Sequence, residues 1–407
     1  MTSPSADARD YEHMARALRL ARRGLYNTKP NPAVGCVIVN GGEIVGEGWT
    51  RPVGGPHAER VALAAAGARA RGATAYVTLE PCNHFGRTEP CTDRLIEAGI
   101  ARVVCAMVDP NPLTGGAGIA RLEAAGIAVD VGALGAPAEA LIRGHVSRMT
   151  RKRPWVRLKL AASLDGRTAL ADGASRWITG PVARRDVHRF RACAGAVLTG
   201  IGTILADDPL LTARLEDLPA GGGEAPAPAG GGAGSTPAGR AGSVGEASGA
   251  AAGVVQPLRV ILDSALRTPP AARTLTAPGQ VVVFTARARA QGQAHRHLAA
   301  AGACIESVPA APRCDLPAVL ARLGELEVND VWVEAGPVLS GALLEAGLID
   351  ELVVYLAPHV LGAGARGMFA TAPLASLAER HALVLEEIRK LGPDLRITAR
   401  PSTVASP

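Results

Sequence analysis

The chain is 407 residues long, 48% hydrophobic and 20% charged, with 43 basic and 37 acidic residues giving a formal charge of +6. At roughly 150 residues per domain this length predicts two or three domains, and the composition excludes both an intrinsically disordered chain and a small fold stapled by disulfides. The basic residues are spread without long runs, which argues against nucleic-acid binding and suits a phosphorylated small-molecule substrate.

Tyr11, Met14, Ala15 and Leu18 recur at helical spacing, in an N-terminal stretch that is charged where a signal peptide would be apolar. No apolar run reaches the about 18 residues of a membrane-spanning helix, so a cytoplasmic chain without membrane contact is expected. Asn40-Gly41 separates two β-like runs, 34–39 and 43–48, and predicts a hairpin. Helical and strand-like segments then alternate at 59–71, 75–79, 92–98, 102–107, 119–125, 127–131 and 137–149, which implies an α/β layered sheet. The basic stretch 148–154 marks a boundary, giving domains at 1–150 and 151–407. Beyond it the pattern is again α/β. Strand-like runs fall at 155–162, 196–199, 258–263, 281–285, 331–334 and 352–356, and helical ones at 182–193, 316–326 and 338–346. Residues 219–253 are almost wholly Gly, Ala, Pro and Ser, so a flexible insertion inside the second domain is expected; closure entropy grows only slowly with loop length. With four each of Trp, Tyr and Phe, the cores must be built from Val, Leu, Ile and Ala.

The seven cysteines, at 36, 82, 91, 105, 193, 304 and 314, are an odd and sparse set, better suited to thiols or metal ligands than to a disulfide framework. His57-Ala58-Glu59 opens a helix-like segment, Pro81-Cys82 follows a strand-like one, and Cys91 comes eight intervening residues later. His57, Cys82 and Cys91 supply three tetrahedral ligands, the number a catalytic zinc uses while keeping one position for water. Zinc would bring the pKa of that water toward neutrality. Glu59, poorly spaced to share a helix face with His57, is assigned to proton transfer and not to ligation. Two other readings stay open at this point: His84 as a fourth ligand of a closed structural zinc, and His57 and the cysteines as core residues.

His-x-Glu with Pro-Cys-x-x-Cys is the signature of zinc nucleobase deaminases. Here the gap is wider, Asn83 through Pro90. With Asn31-Pro32-Ala33-Val34-Gly35-Cys36, the wider spacing resembles the deaminase half of the bifunctional riboflavin-biosynthesis deaminase/reductase family. Three further segments resemble its reductase half: Lys159-Leu160-Ala161-Ala162-Ser163-Leu164-Asp165-Gly166-Arg167, Ser175-Arg176-Trp177-Ile178-Thr179-Gly180, and 200–214. The resemblance implies an α/β chain with an N-terminal cytidine-deaminase-like zinc domain and a C-terminal dihydrofolate-reductase-like domain that uses NADPH.

It further implies NADP contacts at Ala161, Trp177, Thr203, Asp207, Ser264, Gly336, Pro337, Val338, Leu339, Ser340, Gly341 and Ala342. Substrate contacts are implied at Ser175, Arg191, Leu211, Arg214 and Glu334. Two of these sets also have a physical basis. A Gly-containing turn from the strand-like 331–334 into a helix can present backbone N–H groups to a phosphate, and the guanidiniums of Arg191 and Arg214 suit a ribose 5-phosphate. The expected activity is hydrolytic deamination of 2,5-diamino-6-(5-phosphoribosylamino)pyrimidin-4(3H)-one, then NADPH-dependent reduction of the ribosyl chain of 5-amino-6-(5-phosphoribosylamino)uracil. Two alternatives are a deaminase of another nucleobase fused to an unrelated reductase, and a non-enzymatic zinc-stabilised scaffold. The sequence leaves a homo-oligomer open.

Overall fold

The structure is a computed structural model that describes residues 7–85, 89–214, 253–286, 292–309 and 313–402. It divides into two compact units: the first takes the described residues up to Val146 together with Gly253–Val255, and the second takes Ser147–Arg214 and the described residues from Gln256 onward.

The first unit carries a five-stranded sheet of order β2-β1-β3-β4-β5, built from β1 (Gly35–Asn40), β2 (Glu43–Trp49), β3 (Thr74–Val77), β4 (Arg102–Cys105) and β5 (Ala128–Val131). β1 runs antiparallel to β2 and β3, whereas β3, β4 and β5 are parallel. The hairpin expected at Asn40-Gly41 closes one residue later. Asn40 still pairs with Glu43, and Gly41 and Gly42 take φ of 58° and 86°, the left-handed pair of a type I′ turn. Helix α1 (Ala8–Arg22) buries Met14, Ala17 and Leu18 on one face of the sheet against Val37, Val39, Tyr76 and Val104. Helices α2 (Ala58–Ala66), α3 (Cys91–Glu97) and α4 (Ala117–Ala124) belong to this unit as well, and Ala58, Ala62, Ala66, Leu95 and Leu122 from them join Cys36, Ile38 and Val77 in a second core. The single helix expected at 137–149 is two, α5 (Gly135–Leu141) and α6 (Arg143–Arg151). Between them Ile142 leaves helical geometry (φ −116°, ψ 24°) with its side chain in the core. The division between the units falls inside α6.

The second unit carries a nine-stranded sheet. Its strands are β6 (Trp155–Ser163), β8 (Ala196–Gly200), β9 (Leu258–Leu262), β10 (Val281–Ala286), β11 (Cys304–Val308), β12 (Asp330–Glu334), β13 (Glu351–Ala357), β15 (Leu383–Leu391) and β16 (Asp394–Pro401). The order is β11-β10-β9-β8-β12-β6-β13-β16-β15, parallel from β11 to β13 and antiparallel at the last two strands. A short ribbon joins β7 (Arg167–Ala169) to β14 (Arg366–Gly367). Cores on both faces account for the near-continuous apolar runs of the parallel strands. The helices include α7 (Pro181–Cys193), α8 (Ile201–Asp207), α9 (Arg273–Thr276), α10 (Gln293–Ala300), α11 (Leu316–Glu325) and α12 (Pro337–Glu345). The β15–β16 hairpin has no counterpart in the sequence reading, because β15 leaves Leu383, Val384, Leu385 and Ile388 exposed and shows no period-two alternation.

Apart from Gly253, the insertion expected at 219–253 lies outside the described residues. Its flanks lie side by side: the Gln256 side chain accepts from the Ala213 N–H (3.0 Å) and donates to the Ala213 carbonyl (2.8 Å). Among the described residues no helix is long and apolar enough to cross a membrane.

Candidate active sites

Small residues bring α2 down onto β2. A Cβ at Gly46 would lie 2.2 Å from the Ala62 carbonyl, and one at Gly48 would lie 2.2 Å from that of Ala58. This approach sets His57, the extended N-cap residue of α2, beside the segment that follows β3 and the start of α3. His57 Nδ1 lies 3.5 Å from Cys82 Sγ and 3.4 Å from Cys91 Sγ, and all three donor atoms fall within 4.8 Å of one another. Tetrahedral zinc with Zn–S of about 2.3 Å and Zn–N of about 2.0–2.1 Å calls for N···S separations of about 3.6 Å, so one imidazole and two thiols placed this way fit the ion. His84 is exposed and outside the cluster among the described residues, which leaves three protein ligands and an open fourth position.

The thiols are linked. The hydrogen bond from Cys91 brings Cys82 down to about 4, helped by His57. That same hydrogen bond drives Cys91 far above its ordinary range, and the contact with Cys82 raises His57. Glu59, in the first turn of α2, is 4% exposed, and burial pushes its carboxyl up to about 7. Its side chain reaches the Cys91 thiol, so a proton carrier stands against the ligand set. All seven cysteines are free thiols, with Cys36 and Cys105 fully buried in the sheet.

In the second unit the residues singled out for cofactor and substrate gather at the carboxyl ends of parallel strands, where α/β sheets bind ligands. Ala161 is on β6, Thr203 and Asp207 are on α8 directly after β8, Ser264 follows β9, and Glu334 ends β12 with Gly336 as N-cap of α12. Ser175 and Trp177 lie in the segment before α7; Trp177 is 70% exposed, with the Arg184 guanidinium 4.5 Å from its ring centre. Arg176 reaches the Asp207 carboxylate at 3.7 Å. Arg214 is exposed, whereas Leu211 has its side chain in the core, so what it can present to a ligand is backbone.

Two expectations change in character. Arg191 does not hold its fork open for a phosphate: Nε and Nη2 donate to Glu334 at 2.6 and 2.9 Å, and Nη1 donates to the Thr212 carbonyl at 3.0 Å. Within 336–342, Ser340 and Gly341 are buried, and a Cβ on Gly341 would lie 2.3 Å from the Ala370 carbonyl. Close packing, not phosphate approach, therefore requires that glycine.

Sequence reasoning singled out Arg191 but gave no role to Trp332 and Thr199, which also hold Glu334. Trp332 Nε1 donates to Glu334 Oε1 (2.9 Å), and the Thr199 hydroxyl donates to the Glu334 carbonyl (2.6 Å). Lys159 pairs in register with Glu334 across β6 and β12. Burial lowers the Lys159 ammonium against the pull of Glu334. Burial alone would raise the Glu334 carboxyl, but Arg191 and Lys159 outweigh it and hold the group at about 2. The period-two spacing of Trp332 and Glu334 on one strand face is the signal that could have found the tryptophan.

A His-Cys-Cys cluster fit for zinc beside a buried glutamate, followed by a largely parallel nine-stranded α/β unit, defines the class: a zinc deaminase fused to a second α/β enzyme domain. Residues 7–107 match the cytidine and deoxycytidylate deaminase zinc-binding region, and residues 154–397 match the RibD C-terminal domain. Riboflavin biosynthesis protein RibD of Escherichia coli K12 is 46% identical over 387 residues, covering 95% of this chain and 98% of that protein. Among solved structures, Acinetobacter baumannii RibD superposes with a TM-score of 0.82 at 40% identity, covering 97% of this chain and 99% of that one. A Thermotoga maritima diaminohydroxyphosphoribosylaminopyrimidine deaminase/5-amino-6-(5-phosphoribosylamino)uracil reductase gives 0.77 at 32% identity, with the same coverages. The chain belongs to the RibD family. An unrelated reductase fused to the deaminase therefore does not stand.

Proposed function

We infer that the chain performs two consecutive steps of riboflavin biosynthesis. It deaminates 2,5-diamino-6-(5-phosphoribosylamino)pyrimidin-4(3H)-one and then reduces the ribosyl chain of 5-amino-6-(5-phosphoribosylamino)uracil to ribityl. The observation that carries this reading is the convergence of His57, Cys82 and Cys91 on one point beside the buried Glu59, in a chain whose second unit matches the family's reductase domain. We assign the deaminase to residues 1–150 and the reductase to 151–407.

His57 Nδ1 and the two thiolates would hold zinc, which when bound supplies the Lewis acidity that makes water a nucleophile near neutral pH. Glu59 takes the proton lost by the water and returns it to the amine. Overall, one water adds to the ring carbon, the C–N bond breaks, and ammonia leaves as the carbonyl forms. Burial of Glu59 suits both halves of that task, since a carboxyl near neutrality can accept and donate. In the second unit Pro337 has no N–H and the Ser340 N–H donates to the Gly336 carbonyl, so the Val338 and Leu339 amides are what the first turn of α12 would offer the cofactor's phosphates. NADPH supplies the hydride when bound. Glu334, fixed by Arg191, Trp332 and Thr199, presents a rigid carboxylate to the sugar.

Zinc-loaded protein given the diaminopyrimidinone substrate should release ammonia and then oxidise NADPH. A chelator should abolish ammonia release while leaving NADPH oxidation intact on substrate supplied already deaminated. Absence of both signals would sink the assignment. Trp332→Phe, which keeps the stack on Phe190 (4.6 Å, 11°) and removes the indole N–H, should raise the reductase KM for the uracil substrate about tenfold and leave deamination unchanged. An unchanged KM would show that the indole N–H does not hold Glu334 for substrate.

A further inference from the structure

Glu80 stands two residues before Cys82 and is 5% exposed. Its carboxylate accepts four backbone hydrogen bonds: Oε2 from Asp109 (3.0 Å) and Gly116 (2.9 Å), Oε1 from Gly118 (2.8 Å) and Ile119 (3.2 Å). Among the described residues no basic side chain pairs with it. Three of these amides belong to the N-cap and first turn of α4. The N-cap residue there, Gly116, has no side chain to cap with, so Glu80 does that work from 36 residues away.

Two more contacts join the same segments. Asn83 Nδ2 donates to the Ala117 carbonyl (3.3 Å) while its Oδ1 accepts from Thr92 (3.0 Å). A Cβ on Gly118 would lie 2.1 Å from the Pro81 carbonyl, so the backbones touch. Residues 80–83, which carry a metal ligand, and residues 109–119 are therefore one body. Between the Asp109 and Gly116 amides the chain stands out from the carboxyl end of β4. It is shaped by its own side chains: Asp109 accepts from the Asn111 N–H (2.9 Å) and Asn111 accepts from the Leu113 N–H (3.1 Å).

We propose that Glu80 is a positioning residue of the deaminase, seating segment 109–119 as a fixed wall beside the metal centre and so setting substrate affinity without touching the reacting atoms. This rests on the deaminase reading of the His57, Cys82 and Cys91 site. A buried carboxylate satisfied wholly by backbone amides fixes its donors in position, and a wall built this way loses no entropy when substrate binds.

The test uses the intact zinc-loaded chain with Glu80→Gln, which keeps the volume but replaces one accepting oxygen by a donor. Zinc should stay at the wild-type stoichiometry, and reductase activity on the deaminated substrate should be unchanged. The deaminase KM should rise at least about tenfold, with kcat within about threefold of wild type. Amides of Asp109, Gly116, Gly118 and Ile119 should exchange at least about tenfold faster, while those of β1 and β3 keep their protection. Gly118→Ala, whose Cβ would push the same segment off the Pro81 carbonyl and meet Glu80 Oε1 at 3.0 Å without removing an accepting oxygen, should reproduce the KM signature.

Faster exchange with an unchanged KM would mean a clamp without bearing on substrate, and zinc lost in step with rate would mean a scaffold for Cys82. Either result overturns the proposal, as does unchanged exchange. A wild-type chain that releases no ammonia would instead overturn the deaminase reading, with the exchange measurement still deciding whether Glu80 clamps.

Discussion

Glu59→Gln is expected to retain zinc and lose deamination by a factor of about 10²–10⁴, the usual loss when a positioned acid–base group is removed. Gln occupies the same volume on the first turn of α2, so the helix, its packing on Gly46 and Gly48, and the three ligands stay in place. What disappears is the buried carboxyl that stands against the ligand set and is proposed to accept a proton from water and hand it to the leaving amine. NADPH oxidation on deaminated substrate should be unaffected, because that chemistry belongs to the second unit. Ammonia release at the wild-type rate, measured with zinc content, would falsify the assignment of Glu59.

Arg191→Met should destabilise the second unit by about 3 kcal/mol, the lower end of the range found when one partner of a buried ion pair is removed, because Lys159 and the Trp332 N–H still face Glu334. Both side chains are mostly covered, 13% and 14% exposed, and methionine keeps the apolar stem while deleting the fork on Glu334. The pair also sets an acid dependence whose sign follows from Glu334. Its carboxyl lies at about 2 against an ordinary 4.5, so its contribution, on the order of 3 kcal/mol, is complete above pH 4.5 and lost as the pH falls toward 2. Denaturant unfolding between pH 7 and pH 3 should show the wild type losing stability over that window and Arg191→Met losing much less. Equal slopes for the two proteins would mean that Arg191 is not what holds Glu334 ionised.

These two sites differ in how much the sequence disclosed. His57, Glu59, Cys82 and Cys91 were legible because each sits at a junction between local elements, and few uses exist for that combination of residue types. The parallel strands were legible for a related reason, since burial on both faces demands uninterrupted apolar runs. The β15–β16 hairpin was not, because an outer strand with exposed Leu383, Val384 and Leu385 carries no alternation to read. Nor could the sequence separate Ser340 and Gly341, which face the interior, from the exposed Gly336 and Val338 in the same Gly-containing turn.

By itself, then, the sequence determined which histidine and cysteines converge on one point, which glutamate lies against them, and that two α/β units follow one another. Tertiary structure decided which groups spend their charge on each other. Arg191 meets Glu334 across 143 positions, and Glu80 reaches Gly116 across 36. Ligand identity is written in residue type and short spacing, which a sequence displays. A buried charge takes its partner from whatever the folded backbone brings within about 3 Å, and that is fixed only when the sheet closes and water is excluded.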